Sequence, residues 1–171
     1  MLTIVNAVQR LAIFDPTRQY RYSLERRWQP HGPKVTFVML NPSRADAERD
    51  DPTLRACSQF AQRWGYSALE VVNLFAYRTP EPQVLKTVSD PIGVECDRYL
   101  CSAAETAEQI VLAWGNWGAL YGRDQAVRSL LSDHASKLRC LGLTQLNQPR
   151  HPLYLKRTTA LSSWKDAQRP C

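Results

Sequence analysis

The chain has 171 residues, 44% hydrophobic and 22% charged, the composition of one ordinary globular domain with enough chain to bury a core. No apolar run approaches the length that spans a bilayer, and the start, MLTIVNAVQRLAIFDPTRQ, has no basic region leading into a long apolar stretch; a cytoplasmic protein with no signal peptide and no membrane partner is expected. A net charge of +6, from 22 basic and 16 acidic residues, permits a polyanionic partner, and five cysteines without a C-x-x-C pair argue against a disulfide framework or zinc ribbon and for reduced, mostly buried thiols.

In chain order, residues 20–28 (YRYSLERRW) place Tyr20, Tyr22, Leu24 and Trp28 at mostly even spacing, interrupted at Arg26, which predicts a half-exposed strand. Pro30-His31-Gly32-Pro33 then turns the chain into VTFVML, residues 35–40, whose β-branched and apolar residues predict a buried strand. The two are expected to pair as a hairpin, and residues 1–34 to form an N-terminal hairpin extension. Asn41-Pro42 ends the buried strand sharply, because proline has no N–H and pushes the preceding residue into extended backbone.

Asp51-Pro52-Thr53 predicts a helix start, with Leu54, Cys57, Phe60, Ala61 and Trp64 on one face and Gly65 as the stop. Residues 69–75 form a second strand. Asp90-Pro91 opens a helix through Leu100, with a further helical stretch to Glu108. Residues 109–114 form a third strand, residues 123–133 a helix, and residues 138–143 a fourth strand. Strands alternating with helices at this spacing predict a mainly parallel α/β sheet with right-handed crossovers, in a single domain over 1–171. The tail, 156–171, has little periodicity and is expected to lie on the surface.

Each central strand ends in polar or turn-forming residues: Asn41-Pro42-Ser43, Asn73 with Tyr77-Arg78, Gly115-Asn116, and Thr144 leading to Arg150-His151-Pro152. Open parallel sheets bind ligands beyond the carboxyl ends of their strands, so these groups are candidates for one site. Two amides, an imidazole and several aromatics suit a planar, hydrogen-bonding ligand.

The segments RYSLERRW, MLNPSRADAERDDPTLR, VVNLFAYRTPEP, WGNWG and LGLTQLNQPRHPLYL resemble a bacterial family catalogued as a domain of unknown function (DUF1643-like). Four anchors also resemble, more distantly, the uracil-DNA glycosylase superfamily. Asn41-Pro42 is similar to its water-positioning loop, VVN ending at Asn73 to its base-reading strand, LAWG ending at Gly115 to its third strand, and His151-Pro152-Leu153 to its His-Pro-Ser loop. Met39-Leu40 in place of a Gly-rich entry, and Leu153 in place of serine, depart from that pattern and bear against base excision from duplex DNA. The resemblance implies a three-layer sandwich around a central four-stranded mainly parallel sheet, with the N-terminal antiparallel hairpin added.

By that likeness Asn41 would position the attacking water and His151 would donate to an oxygen of the departing base; these are the catalytic candidates. Asn73 would read a base edge, with Pro42, Ser43, Tyr77, Arg78, Trp114 and Asn116 as further substrate-binding candidates and Arg44, Arg49 and Arg150 as nucleic-acid contacts. Nucleic acid or a nucleotide is the expected partner, with possible N-glycosidic hydrolysis and no cofactor, metal or iron–sulfur cluster. Structural alternatives stand beside each role: Asn41 as an Asn-Pro turn, Asn73 as a strand-end amide tying down a loop, the aromatics as core. Non-catalytic nucleic-acid or nucleotide binding is the alternative function. The acidic run Asp46, Glu48, Asp50 and Asp51 is open to three readings: a self-paired solvated loop with Arg44, Arg49 and Arg55, a helix N-cap at Asp51, or a magnesium site for metal-assisted phosphoester hydrolysis.

Overall fold

The computed structural model describes residues 7–167. In chain order they form β1 (Gln9–Phe14), β2 (Arg21–Arg27), β3 (Lys34–Met39), α1 (Pro52–Arg63), β4 (Ala68–Asn73), α2 (Cys96–Thr106), β5 (Gln109–Leu112), α3 (Arg123–Leu130), β6 (Leu138–Cys140), β7 (Ser162–Ser163) and α4 (Trp164–Ala167). The strands make one mixed seven-stranded sheet in the order β1-β2-β4-β3-β5-β6-β7. Strands β4, β3, β5 and β6 run parallel to one another, whereas β1, β2 and β7 join antiparallel.

Side-chain alternation divides the core between the two faces of the sheet. Val35, Phe37, Leu69, Val71 and Val111 pack against Leu54, Cys57, Phe60 and Ala61 of α1. On the other face Val38, Val72, Ile110 and Leu112 meet Leu100, Ala103 and Ala104 of α2 and Val127 of α3. Helix α1 begins as its sequence predicts: Asp51 Oδ1 accepts from Leu54 N at 2.8 Å, with Pro52 in the first turn. Gly65, at φ +84°, follows the helix end in the left-handed region that favours glycine.

Four expectations are corrected. Strand β2 pairs with β1 and β4, not with β3, so β4 lies between the two strands expected to form a hairpin. The local turn at 30–33 suggested adjacency, but β3 has both edges taken by parallel partners. Asp90-Pro91 opens a turn rather than a helix: Asp90 Oδ1 accepts from Ile92 N and Gly93 N at 3.0 Å each, and α2 starts at Cys96. The helix expected over 123–133 stops at Leu130, and a 3-10 turn spans Ser132–Lys137. The tail is not merely superficial, since β7 extends the sheet and Trp164 is buried in the core; residues 168–171 of that expectation lie outside the described residues.

The topology positions a site. From β3 the chain passes through α1 to β4 on one side, then returns to β5 on the other side of β3. Connections therefore diverge beyond the carboxyl ends of β3 and β5, where a crevice forms without distorting the sheet.

Candidate functional site

A cleft of about 510 Å³ opens at that crevice. Of the residues singled out from the sequence, Asn41, Ser43, Asn73, Trp114, Asn116 and His151 line it. Four chain segments, far apart in sequence, thus meet at one place.

The two asparagines differ in their partners. Asn41 Nδ2 donates to Thr79 O at 2.8 Å and Pro42 O at 3.0 Å, fastening the loop after β3 to the loop after β4. Thr79 N donates to Pro42 O at 2.9 Å and doubles that fastening. Asn73, only 3% exposed at the end of β4, has a buried Oδ1 with no hydrogen-bond partner among the described residues. An unpaired buried acceptor costs about 1–3 kcal/mol, so a ligand donor or water facing it has free energy to recover.

Arg21 is the site residue that sequence reasoning missed. Its strand looked half-exposed, yet Arg21 is 4% exposed and lines the cleft, with Nη1 donating to Ala45 O at 2.7 Å and a buried Nε without a partner. Burial pulls its pKa down to about 10, and Asp51 opposes that pull. No strand pattern separates a buried arginine from a solvent-facing one, because the alternation is the same.

His151 caps the 3-10 turn Pro152–Tyr154 by accepting from Leu153 N at Nδ1, 3.2 Å. With Nδ1 used as an acceptor, the neutral ring carries its proton on Nε2 and presents a donor. Burial lowers its pKa, which favours this neutral form, while Asp51 acts in the opposite sense. Gly115 N donates to Pro149 O at 2.8 Å, which holds the loop carrying His151 against the end of β5.

The aromatics fall into two classes. Trp114 is a buried wall of the cleft: Nε1 donates to Gln148 Oε1 at 2.7 Å, and a Cβ on Gly118 would lie 2.0 Å from its Cδ1. Trp117 and Tyr154 also line the cleft but are exposed; Lys86 Nζ lies 4.9 Å from the Trp117 ring centroid, and the Tyr154 ring lies 6.0 Å from that of His151. Asn116 Oδ1 accepts from Thr144 Oγ1 at 2.6 Å.

Beside this cleft lies a second groove of about 730 Å³, sharing Ser43, Asp51, Thr79 and Pro80 with it. Arg44, Arg49, Tyr77 and Arg78 line the groove rather than the main cleft. Tyr77 packs edge-on against Tyr20, with ring centroids 5.6 Å apart. Pro42 and Arg150 line neither depression; Pro42 is buried and Arg150 exposed.

The acidic run has local structural partners. Asp46 Oδ1 accepts from Glu48 N and Arg49 N at 2.8 Å each, and these bonds hold its pKa low. Asp50 pairs with Arg26 of β2 at 2.8 Å and Arg10 of β1 at 3.0 Å. Asp51 caps α1 and accepts from Ala45 N at 3.3 Å. The charges that looked self-paired within the loop are thus partly paired to the neighbouring strands. Among the described residues no three of His, Cys, Asp and Glu converge as metal ligands.

Cys57, Cys96, Cys101 and Cys140 are free thiols, three of them buried. Burial raises the pKa of each, that of Cys96 to about 11, so none is an activated nucleophile. Among the described residues no helix is long and apolar enough to cross a membrane.

Comparison with curated proteins and with solved structures found no match. A family model does match, over residues 21–153, which takes in β2 through the His151 loop and therefore the whole lining of the main cleft except Tyr154. The chain belongs to the family described as "Protein of unknown function (DUF1643)".

Proposed function

We propose that the main cleft recognises a nucleobase and that its polar groups suit hydrolysis of an N-glycosidic bond. The unpartnered Oδ1 of Asn73 carries this reading, because a buried acceptor at the end of a central strand calls for a donor from a ligand. Arg21 Nε is an unpartnered donor on the same cleft, and His151 supplies another through Nε2. Donors and an acceptor around a flat-walled cleft match the mixed edge of a planar N-heterocycle. The likeness of the four strand-end anchors to uracil-DNA glycosylases points the same way, as analogy only.

In the proposed reaction a water adds to the sugar carbon while the carbon–nitrogen bond breaks and the base leaves with the electron pair. His151 Nε2–H donates to an oxygen of the leaving base as negative charge develops there. Asn41, whose amide protons are committed to the loop, offers Oδ1 to hold the water by position rather than as a strong base. The base is protonated and the sugar hydroxylated, so no further reactant is needed.

The test is a thermal-shift screen of nucleobases, nucleosides and short single-stranded oligonucleotides on wild type and Asn73→Ala. A base-specific, concentration-dependent rise in Tm, absent in the variant, is the expected result. Absence of any shift on wild type contradicts the reading. Tight, salt-dependent binding without turnover selects the alternative of a binding module.

A further inference from the structure

The second groove contains a pair of arginines that make no salt bridge among the described residues. Arg18 and Arg78 both lie over the ring of Phe14, their guanidinium carbons 4.2 and 4.7 Å from its centroid. Arg78 Nη1 donates to Arg18 O at 3.1 Å, and Arg78 N to Gln19 O at 2.8 Å, so the turn and the loop after β4 are locked together. Arg78 Nε is buried and without a partner among the described residues. Neither arginine has a carboxylate oxygen within 4.0 Å among the described residues.

The turn adopts an uncommon backbone to bring them together. Arg18 has φ +60°, a left-handed conformation rare for a long side chain. Two like charges on one ring repel, and Arg78 responds: burial, then Arg18, lower its pKa while Asp46 opposes them. Arg44 and Arg49 line the same groove. Of the three acids there, Asp50 is already paired to Arg10 and Arg26, and Asp51 faces the buried Arg21, which leaves Asp46 against four arginines. The local field is positive, and the aromatic platform orients the guanidinium groups while leaving donors for an anion.

We propose that this groove binds the phosphate of a ligand whose base occupies the main cleft, so the substrate class is a nucleoside phosphate rather than a free base or nucleoside. Ser43, Asp51, Thr79 and Pro80 form the sill common to both depressions, across which the sugar passes. The inference rests on the nucleobase reading for the contents of the main cleft, but the phosphate site stands on the arginine pair alone. A free nucleotide and a single nucleic-acid strand present the same phosphate chemistry.

The experiment measures affinities by titration calorimetry for a nucleoside, its 5′-monophosphate, ribose 5-phosphate and a short single-stranded oligonucleotide containing that base. The proteins are wild type, Arg18→Asn, which tolerates the left-handed backbone, and Arg78→Gln, each first checked for an unchanged fold by Tm and circular dichroism. The monophosphate is expected to bind about tenfold or more tightly than the nucleoside, with the gain lost in both variants and nucleoside affinity retained. Equal affinity for nucleoside and monophosphate on wild type overturns the phosphate site and leaves the base reading intact. Binding of ribose 5-phosphate, abolished in the variants, with no added affinity from any base, supports the phosphate site and overturns the nucleobase reading. Binding of neither overturns both. If the phosphate site holds, an oligonucleotide tighter than the mononucleotide, with steeper salt dependence, identifies the source as a strand; equal affinity identifies it as the free nucleotide.

Discussion

Asn41 and Asn73 both end central strands at the same crevice, yet they sit in opposite hydrogen-bonding states. Asn41 gives its amide protons to Thr79 O and Pro42 O and closes one loop on another. Asn73 is the more buried of the two and leaves Oδ1 without a partner. The difference extends to their surroundings. The loop after Asn41 is saturated: Asp46 closes it, Asp50 reaches Arg26 and Arg10, and Asp51 caps α1. The wall around Asn73 holds unsatisfied atoms, with Arg21 Nε beside the cleft as well. Saturated polar groups hold structure, and unsatisfied buried ones mark where a ligand has something to gain.

The largest test of the saturated side is Asp50→Asn. It strands Arg26, whose side chain is 2% exposed, against a neutral partner. Urea unfolding should show a loss of about 3 kcal/mol, the low end for a buried pair because Asp50 itself is 24% exposed. A loss below half a kcal/mol would break the claim that the run is structural. Gly118→Ala should follow at about 1–3 kcal/mol, since the new methyl collides with the Trp114 wall, and its first effect should be on ligand affinity as that wall shifts. Both are readable in one titration series.

A smaller effect is expected from pH. The pKa of His151 is lowered below its ordinary 6.5, so below that value the unfolded chain takes up a proton that the folded protein resists. Stability should therefore fall as pH drops from 6.5 toward the folded pKa, and be indifferent to this group above it. His151→Gln should flatten that part of the profile. An unchanged profile in the variant would show that His151 is not held neutral.

Much of this architecture was legible because local chemistry and global position agreed. The Asp51-Pro52 start and the apolar face of Leu54, Cys57, Phe60 and Ala61 needed only a period and a cap, and both are where the sequence puts them. The convergence of Asn41, Asn73 and His151 was readable from a rule about strand ends, not from any contact. What escaped was non-local. The place of β2 beside β4 depends on which edges of β3 are free, and the burial of Arg21 and Arg26 depends on a loop 20 or more residues away closing over them. Arg26 broke the alternation of its strand, a visible anomaly whose partner, Asp50, was also visible as unexplained charge. The pairing of those two anomalies was the available signal. Arg18 offered none, because its contact with Arg78 arises only where the turn after β1 meets the loop after β4.

The most direct measurement of the central claim needs no ligand: equilibrium unfolding of Asn41→Leu and Asn73→Leu beside wild type. Leucine approximates the shape of asparagine without its polar atoms, so the comparison reads what each amide contributes to the fold. Asn41→Leu should lose about 1–2 kcal/mol as Thr79 O loses its side-chain donor and Pro42 O keeps only that of Thr79 N, whereas Asn73→Leu should be as stable as wild type or more so, because an unsatisfied acceptor has been removed. Equal destabilisation by the two substitutions would mean that Asn73 is held for the fold and not for a ligand, and would contradict the account.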